Sequence, residues 1–172
     1  MAKKSKGKVC NCVFKRLVAL VASVVVFVMT LLTKVTVSNT TTVRGTKTTI
    51  KADPLGFFEF MDKAKEAEIF GTARTLMLIG FILITVVMAY FLLTFIIALL
   101  GNKKVMGKLS TLNVVLSLVL VVGTVLVLAA GLDKNVILKD LNYSTISLFG
   151  TTWIVAMVCS LIPATCEFVI KK

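Results

Sequence analysis

The sequence has no histidine, two prolines, one tryptophan, and eight acidic residues against twenty basic ones. Without histidine there is no imidazole base, no histidine-activated nucleophile and no zinc site of the usual kinds. It contains no Gly-rich phosphate loop, no Gly-x-Ser-x-Gly elbow and no paired carboxylates within an apolar run. These absences argue against an enzyme, and no catalytic, cofactor-binding or metal-ligating residue is assigned. Cysteine is scarce: Cys10, Cys12, Cys159 and Cys166. Cys159 and Cys166 lie about 10 Å apart along a continuous helix, beyond the ~7 Å between Cα atoms that a disulfide spans. A redox pair is therefore not expected there. Cys10-Asn11-Cys12 reads as an inert juxtamembrane pair, with palmitoylation as the alternative. Two ligands alone make an incomplete metal site.

Charge is missing in a more informative pattern. There are 17 uncharged residues between Arg16 and Lys34, 28 between Arg74 and Lys103, 24 between Lys108 and Asp133, and 26 between Asp140 and Glu167. A helix rises about 1.5 Å per residue, so about 20 apolar residues cross a hydrocarbon core of roughly 30 Å. With 58% hydrophobic and 16% charged residues, a soluble fold of this length would have far too much apolar surface to hide. The expected class is an all-α membrane protein, a four-transmembrane-helix bundle. Its spans are placed at about 17–33, 75–100, 111–131 and 146–170, after a basic tail over 1–16. The first run has a basic start but no small-residue cleavage site after it, so it reads as a retained signal anchor.

The basic residues orient the chain. Lys3, Lys4, Lys6, Lys8, Lys15, Arg16, Lys103, Lys104, Lys108, Lys171 and Lys172 fall on one side, accompanied by one acid, Glu167. The other side carries nine basic residues but seven acids. The positive-inside rule then places both termini in the cytoplasm, and the plasma membrane is the expected location. The basic tail is read as a topology signal attracted to anionic headgroups; nucleic acid is not an expected partner. Glu167, four residues before Lys171, reads as an interfacial acid paired with it.

Helix limits are read from local signals. Gly101-Asn102 ends the second span and Ser110 caps the third. Asn142, Ser144 and Thr145 offer caps for the fourth, with Tyr143, Phe149 and Trp153 near the outer interface and a kink at Pro163. The first outer loop, 34–71, divides in two. The alternating, β-branched segments Lys34–Ser38 and Thr46–Lys51 favour a small β-hairpin joined through Asn39–Gly45, with a flexible threonine-rich loop as the alternative. Asp53-Pro54 reads as an N-cap followed by proline at the first helical position, opening a short amphipathic helix with Phe57, Phe60, Met61 and Ala64 on one face. Gly71 marks the bend into the second span. Asn39-Thr40-Thr41 and Asn142-Tyr143-Ser144 match the glycosylation triplet, both on the outer side.

Small residues mark helix packing. Thr152, Ala156, Ser160 and Ala164 recur every four residues, with shorter ridges at Ala19/Ser23 and Thr85/Ala89. The layout resembles tetraspan proteins of the claudin type: four spans, both termini inside and a long first outer loop with strand character. The claudin signature of tryptophans and two cysteines in that loop is missing, since no Trp or Cys lies between residues 34 and 71. The functional expectation is an integral membrane accessory or scaffolding subunit. It would bind a membrane-protein partner, or a further copy of itself, through the first outer loop, with Phe57, Phe58, Phe60 and Met61 as partner-binding residues. The alternative is a small oligomeric pore or transporter. Membrane lipid is a partner in either case.

Overall fold

The computed structural model describes the backbone of residues 3–169 apart from 45, 67–69, 101–102, 133, 138–141 and 150. It describes the side chains of 13–131 and 151–166 apart from those positions and 43, 103–108 and 110. In chain order the elements are α1 (Lys3–Leu32), β1 (Lys34–Val43), β2 (Thr46–Lys51), α2 (Phe57–Glu66), α3 (Gly71–Leu99), α4 (Lys103–Ala129), β3 (Lys134–Ile137), β4 (Asn142–Phe149) and α5 (Thr152–Val169). A single 3₁₀ turn, Ala130–Leu132, follows α4.

Among the described residues, three helical segments are long and apolar enough to cross a membrane: Val13–Leu32, Gly71–Leu99 and Thr111–Ala129. Lysine and serine are tolerable helix formers, so α1 and α4 continue beyond these apolar cores into the flanking basic segments. Helix α1 therefore includes most of the basic tail, and Ser110 lies inside α4 instead of capping it. At the end of α3, Leu100 takes the cap position and its N–H donates to Ile96 O at 3.1 Å; Gly101-Asn102 lies outside the described residues.

The region expected to hold the fourth span divides in two. Residues 142–149 form a strand, and the helix starts only at Thr152. Asn142, Ser144 and Thr145 are thus strand residues, not caps. A lack of charge says that a segment leaves water, but a short apolar run does not distinguish helix from strand. Here Asn142–Phe149 carries β-branched and aromatic residues, and β1 is there to pair with it. The apolar part of α5, Thr152–Cys166, is shorter than the three long segments, and Pro163 lies inside this helix.

The strands form one antiparallel sheet in the order β2-β1-β4-β3. Strand β1 is central and long: Lys34–Thr41 pairs with Phe149–Asn142, while Ser38–Val43 pairs with Lys51–Thr46. Strand β1 continues to Val43, so the Asn39–Gly45 connection shrinks to Arg44 and Gly45. Arg44 takes φ 49°, as the first residue of a primed two-residue hairpin turn must. Since α1 and α4 lead into strands and α3 and α5 follow the sheet-side segments, the sheet sits at one end of the bundle.

The bundle packs on small residues. A Cβ added at Gly80 on α3 would lie 2.6 Å from Gly123 O and 2.8 Å from Val127 Cγ2 on α4. Two glycines thus let these backbones touch, which supplies close van der Waals contact where lipid offers no hydrophobic drive between helices. The expected Thr85/Ala89 ridge is not this contact: Ala89 is exposed, and Thr85 Oγ1 donates to Phe81 O.

Candidate interaction surface

The ridge on α5 faces inward along most of its length. Ala156 and Ser160 are buried, Ala164 is 9% exposed, and Thr152 is half-buried. Across from it, α1 buries Ala19, Ala22, Ser23, Val26 and Thr30, and Thr33 is buried just past its end. Thr33 Oγ1 lies 3.4 Å from Thr152 Oγ1 at the sheet end of this contact.

Most hydroxyls inside the bundle serve their own helices. Ser23 donates to Leu20 O, Thr30 to Val26 O, Thr94 to Phe91 O, Ser117 to Asn113 O, Thr124 to Leu120 O and Ser160 to Met157 O, at 2.7–3.1 Å. A hydroxyl bonded this way is satisfied without offering its proton to a passing solute. Arg16 is buried and partnered near the start of the apolar part of α1. Asn113 is different: it is fully buried on α4, and neither its Nδ2 nor its Oδ1 has a hydrogen-bond partner.

Among the described residues, exposed polar side chains are gathered at the sheet end. Val35 N–H donates to Leu55 O and Leu55 N–H to Val35 O, both at 2.9 Å. These bonds keep the chain extended through Asp53-Pro54, so α2 starts at Phe57 rather than at Pro54. Gly56 takes the N-cap place. Glu59, three residues on, accepts from Gly56 N–H at 3.4 Å and from Lys63 Nζ at 2.9 Å, the back-reaching half of a capping box plus an i,i+4 ion pair. The hydrogen bond from Lys63, followed by that from Gly56 N–H, holds the Glu59 carboxyl below its ordinary range.

Phe57 and Phe60 are each 2% exposed, Met61 is half-buried and Phe58 is 54% exposed. Phe57 packs against Phe81 at 5.4 Å between centroids, Phe58 against Phe81 at 5.5 Å, and Phe81 stacks on Phe27 at 5.4 Å. Phe60 meets Phe70 at 6.2 Å. Two of the four expected partner-binding residues, Phe57 and Phe60, therefore anchor α2 to α1 and α3, leaving Phe58 as the ring that α2 presents. Period-3.6 spacing identified an apolar face correctly, but a face that is covered by the chain's own helices is not free for a partner. The bend into α3 is made by Phe70, at φ 52° and ψ 39°, and not by Gly71.

Outermost in the sheet, all six residues of β2 are exposed. The sequence assigns this strand to a hairpin that shares the partner surface of the first outer loop, without singling out any of its residues. The signal was its composition: no proline, two lysines and one large apolar residue, Ile50, now 65% exposed. Asn39 is exposed on the central strand, and the neighbouring Thr40 Oγ1 lies 3.0 Å from Thr49 Oγ1. The side chains of Cys10, Cys12, Asn142 and Glu167 lie outside the described residues, as does Lys171. Cys159 and Cys166 are free and half-buried. Among the described residues no cluster of three or more His, Cys, Asp or Glu side chains is arranged to hold a metal. No family model matches the chain, and no curated protein matches it.

Proposed function

We propose that this protein is a four-span accessory or scaffolding subunit of the plasma membrane, with α5 as the fourth span and both termini in the cytoplasm. The sheet and α2 then form an outer cap that binds a membrane-protein partner. One observation carries the reading: among the described residues, exposed polar side chains collect in a folded cap at one end of the bundle. The bundle interior, by contrast, is mostly apolar, with most of its hydroxyls bonded to its own backbone and with Arg16 and Asn113 as its larger polar side chains. At about 1.5 Å per residue an 18-residue α5 rises roughly 27 Å, close to a hydrocarbon core. The contacts of Phe57 and Phe58 with Phe81, which itself stacks on Phe27, support a position for α2 beside the outer ends of the spans, where the exposed Phe58 would meet headgroups or partner.

Topology is tested by introduced cysteines. An impermeant thiol reagent outside intact cells labels Thr42→Cys and Asn135→Cys but spares Lys104→Cys; the inverse pattern overturns the orientation. Function is tested by purification from native membranes in mild detergent. A stoichiometric second chain, lost when Phe58 is changed to Ser, supports the accessory role. Its absence, together with solute flux through the purified protein in liposomes, favours the small pore or transporter instead. Asn113 gives that second reading its support, since an unpartnered amide inside a bundle is a natural place for water or a small polar solute.

A further inference from the structure

Strand β2 is an open edge. It pairs with β1 on one side, and among the described residues no strand pairs with it on the other. Six residues at about 3.3 Å each give an edge of roughly 20 Å. Proteins usually close such edges with proline, a bulge, a covering segment or charge. Here charge is the device on view, since Lys47 and Lys51 are exposed on the strand and Arg44 is exposed in the turn before it.

Alternation sorts the strand into two faces. Lys47, Thr49 and Lys51 share one, opposite Thr42, Thr40 and Ser38 of β1; Thr46, Thr48 and Ile50 share the other. The two lysines stand four residues apart on one face, and the exposed Ile50 is on the other. A second copy of β2 laid on this edge would bring four lysines and two arginines together, which like-charge repulsion opposes. An acidic strand has the opposite sign, and its backbone can use the open N–H and C=O groups.

We propose that β2 takes up an extended acidic segment of a partner protein by strand addition. The segment has carboxylates four residues apart facing Lys47 and Lys51, and an apolar side chain on its other face against Ile50. This inference rests on the accessory-subunit reading and names the chemistry of its partner.

The test uses the full chain in nanodiscs and a fluorescent peptide with the core Glu-Val-Thr-Thr-Glu. Polarisation should show binding at 50 mM salt, a preference of about tenfold over the same peptide with Lys for Glu, and weakening at 500 mM salt. The K47E/K51E variant should reverse the preference, and K47Q/K51Q should abolish it. N-methylation of alternate peptide residues should remove binding, because strand addition needs those N–H groups. Hydrogen-exchange protection of β1 confirms that each variant keeps the sheet. Equal binding of the acidic and basic peptides, or undiminished binding of the N-methylated one, overturns the proposal. So does a Thr49→Cys variant that cross-links two copies through β2, which would make a second copy the occupant. A partner that co-purifies equally with the wild type and K47E/K51E overturns edge pairing but leaves the accessory reading standing. Loss of the accessory reading itself shows as flux without any co-purifying chain.

Discussion

The bundle and the sheet are built on opposite plans. In the bundle many large apolar side chains point outward: Leu78, Ile79, Ile82, Val86, Leu92 and Leu93 are exposed on α3, and Val115, Leu118 and Val122 on α4. Its interior takes glycine, alanine, serine and threonine as well as larger residues. In the sheet, Val35 is buried while Thr46–Lys51 is exposed. The difference identifies the two solvents. Only 28% of the apolar stretch of α3 is buried by the protein, so the rest needs an apolar surrounding, whereas β2 keeps its polar side chains where water can reach them. Stability should accordingly come from close backbone packing in the bundle and from aromatic burial where the cap meets it.

The largest effect is expected at that junction. Phe57→Ala and Phe60→Ala each remove a buried ring, and each should cost about 3–5 kcal/mol of cap stability, read as loss of hydrogen-exchange protection in α2 and β1. Phe58→Ala should cost far less. Equal losses at all three positions would mean that α2 is not anchored by Phe57 and Phe60. Next is the glycine contact of the bundle. Gly80→Ala places a methyl against Gly123 O and Val127, both backbone-close, and should destabilise by about 1–3 kcal/mol. The same change at Gly71, which has no atom within 4 Å of an added Cβ, should be tolerated. A folded yield in detergent that is indifferent to Gly80→Ala would break the argument that small residues set the α3–α4 distance.

The two regions also differ in how far the sequence announces them. Long uncharged runs identify apolar helices because they report composition, and composition is what a membrane selects. Those runs located the apolar segments of α1, α3 and α4, though not the basic first turns of α1 and α4. The same measure failed at 142–149, where an uncharged segment pairs with β1 instead of joining α5. Strand partners lie a hundred residues apart, and nothing local records them. The hairpin was legible from β-branched alternation, while its length was not, because Arg44 in the turn is an unusual left-handed residue. At the candidate surface, the spacing of Phe57 and Phe60 showed an apolar face but not what covers it. Gly80 and Gly123 carried no periodic signal at all; isolated glycines within apolar helices were the available hint.

A smaller and opposite effect is expected at Asn113. Both polar atoms of its amide are buried without a partner, and such a group costs about 1–3 kcal/mol. Leucine has a similar shape and no such need. Asn113→Leu should therefore raise the midpoint of thermal unfolding in detergent, by an increment worth about 1–2 kcal/mol. A lowered midpoint would mean that the amide is hydrogen-bonded in the membrane, to water or solute, and would turn attention to the pore reading.

The smallest effect belongs to the start of α2 and depends on pH. Glu59 accepts from Lys63 Nζ and from Gly56 N–H, and its folded pKa lies below the ordinary value. A carboxyl with a depressed folded pKa binds its proton more readily in the unfolded chain. Its contribution is therefore complete above the unfolded pKa and is lost as pH falls through the folded one. Both groups of the pair are exposed, so the change should be slight and weaker in high salt. The expectation is a carbon-13 titration in which the Glu59 carboxyl has a midpoint below the ordinary glutamate value. Amide exchange at the first turn of α2 should quicken below that midpoint, and Glu59→Gln should remove this pH dependence. Lys63→Ala should raise the Glu59 midpoint. An unchanged midpoint in that variant would show that the ion pair does not hold the end of α2, leaving the buried phenyl rings to fix the helix alone.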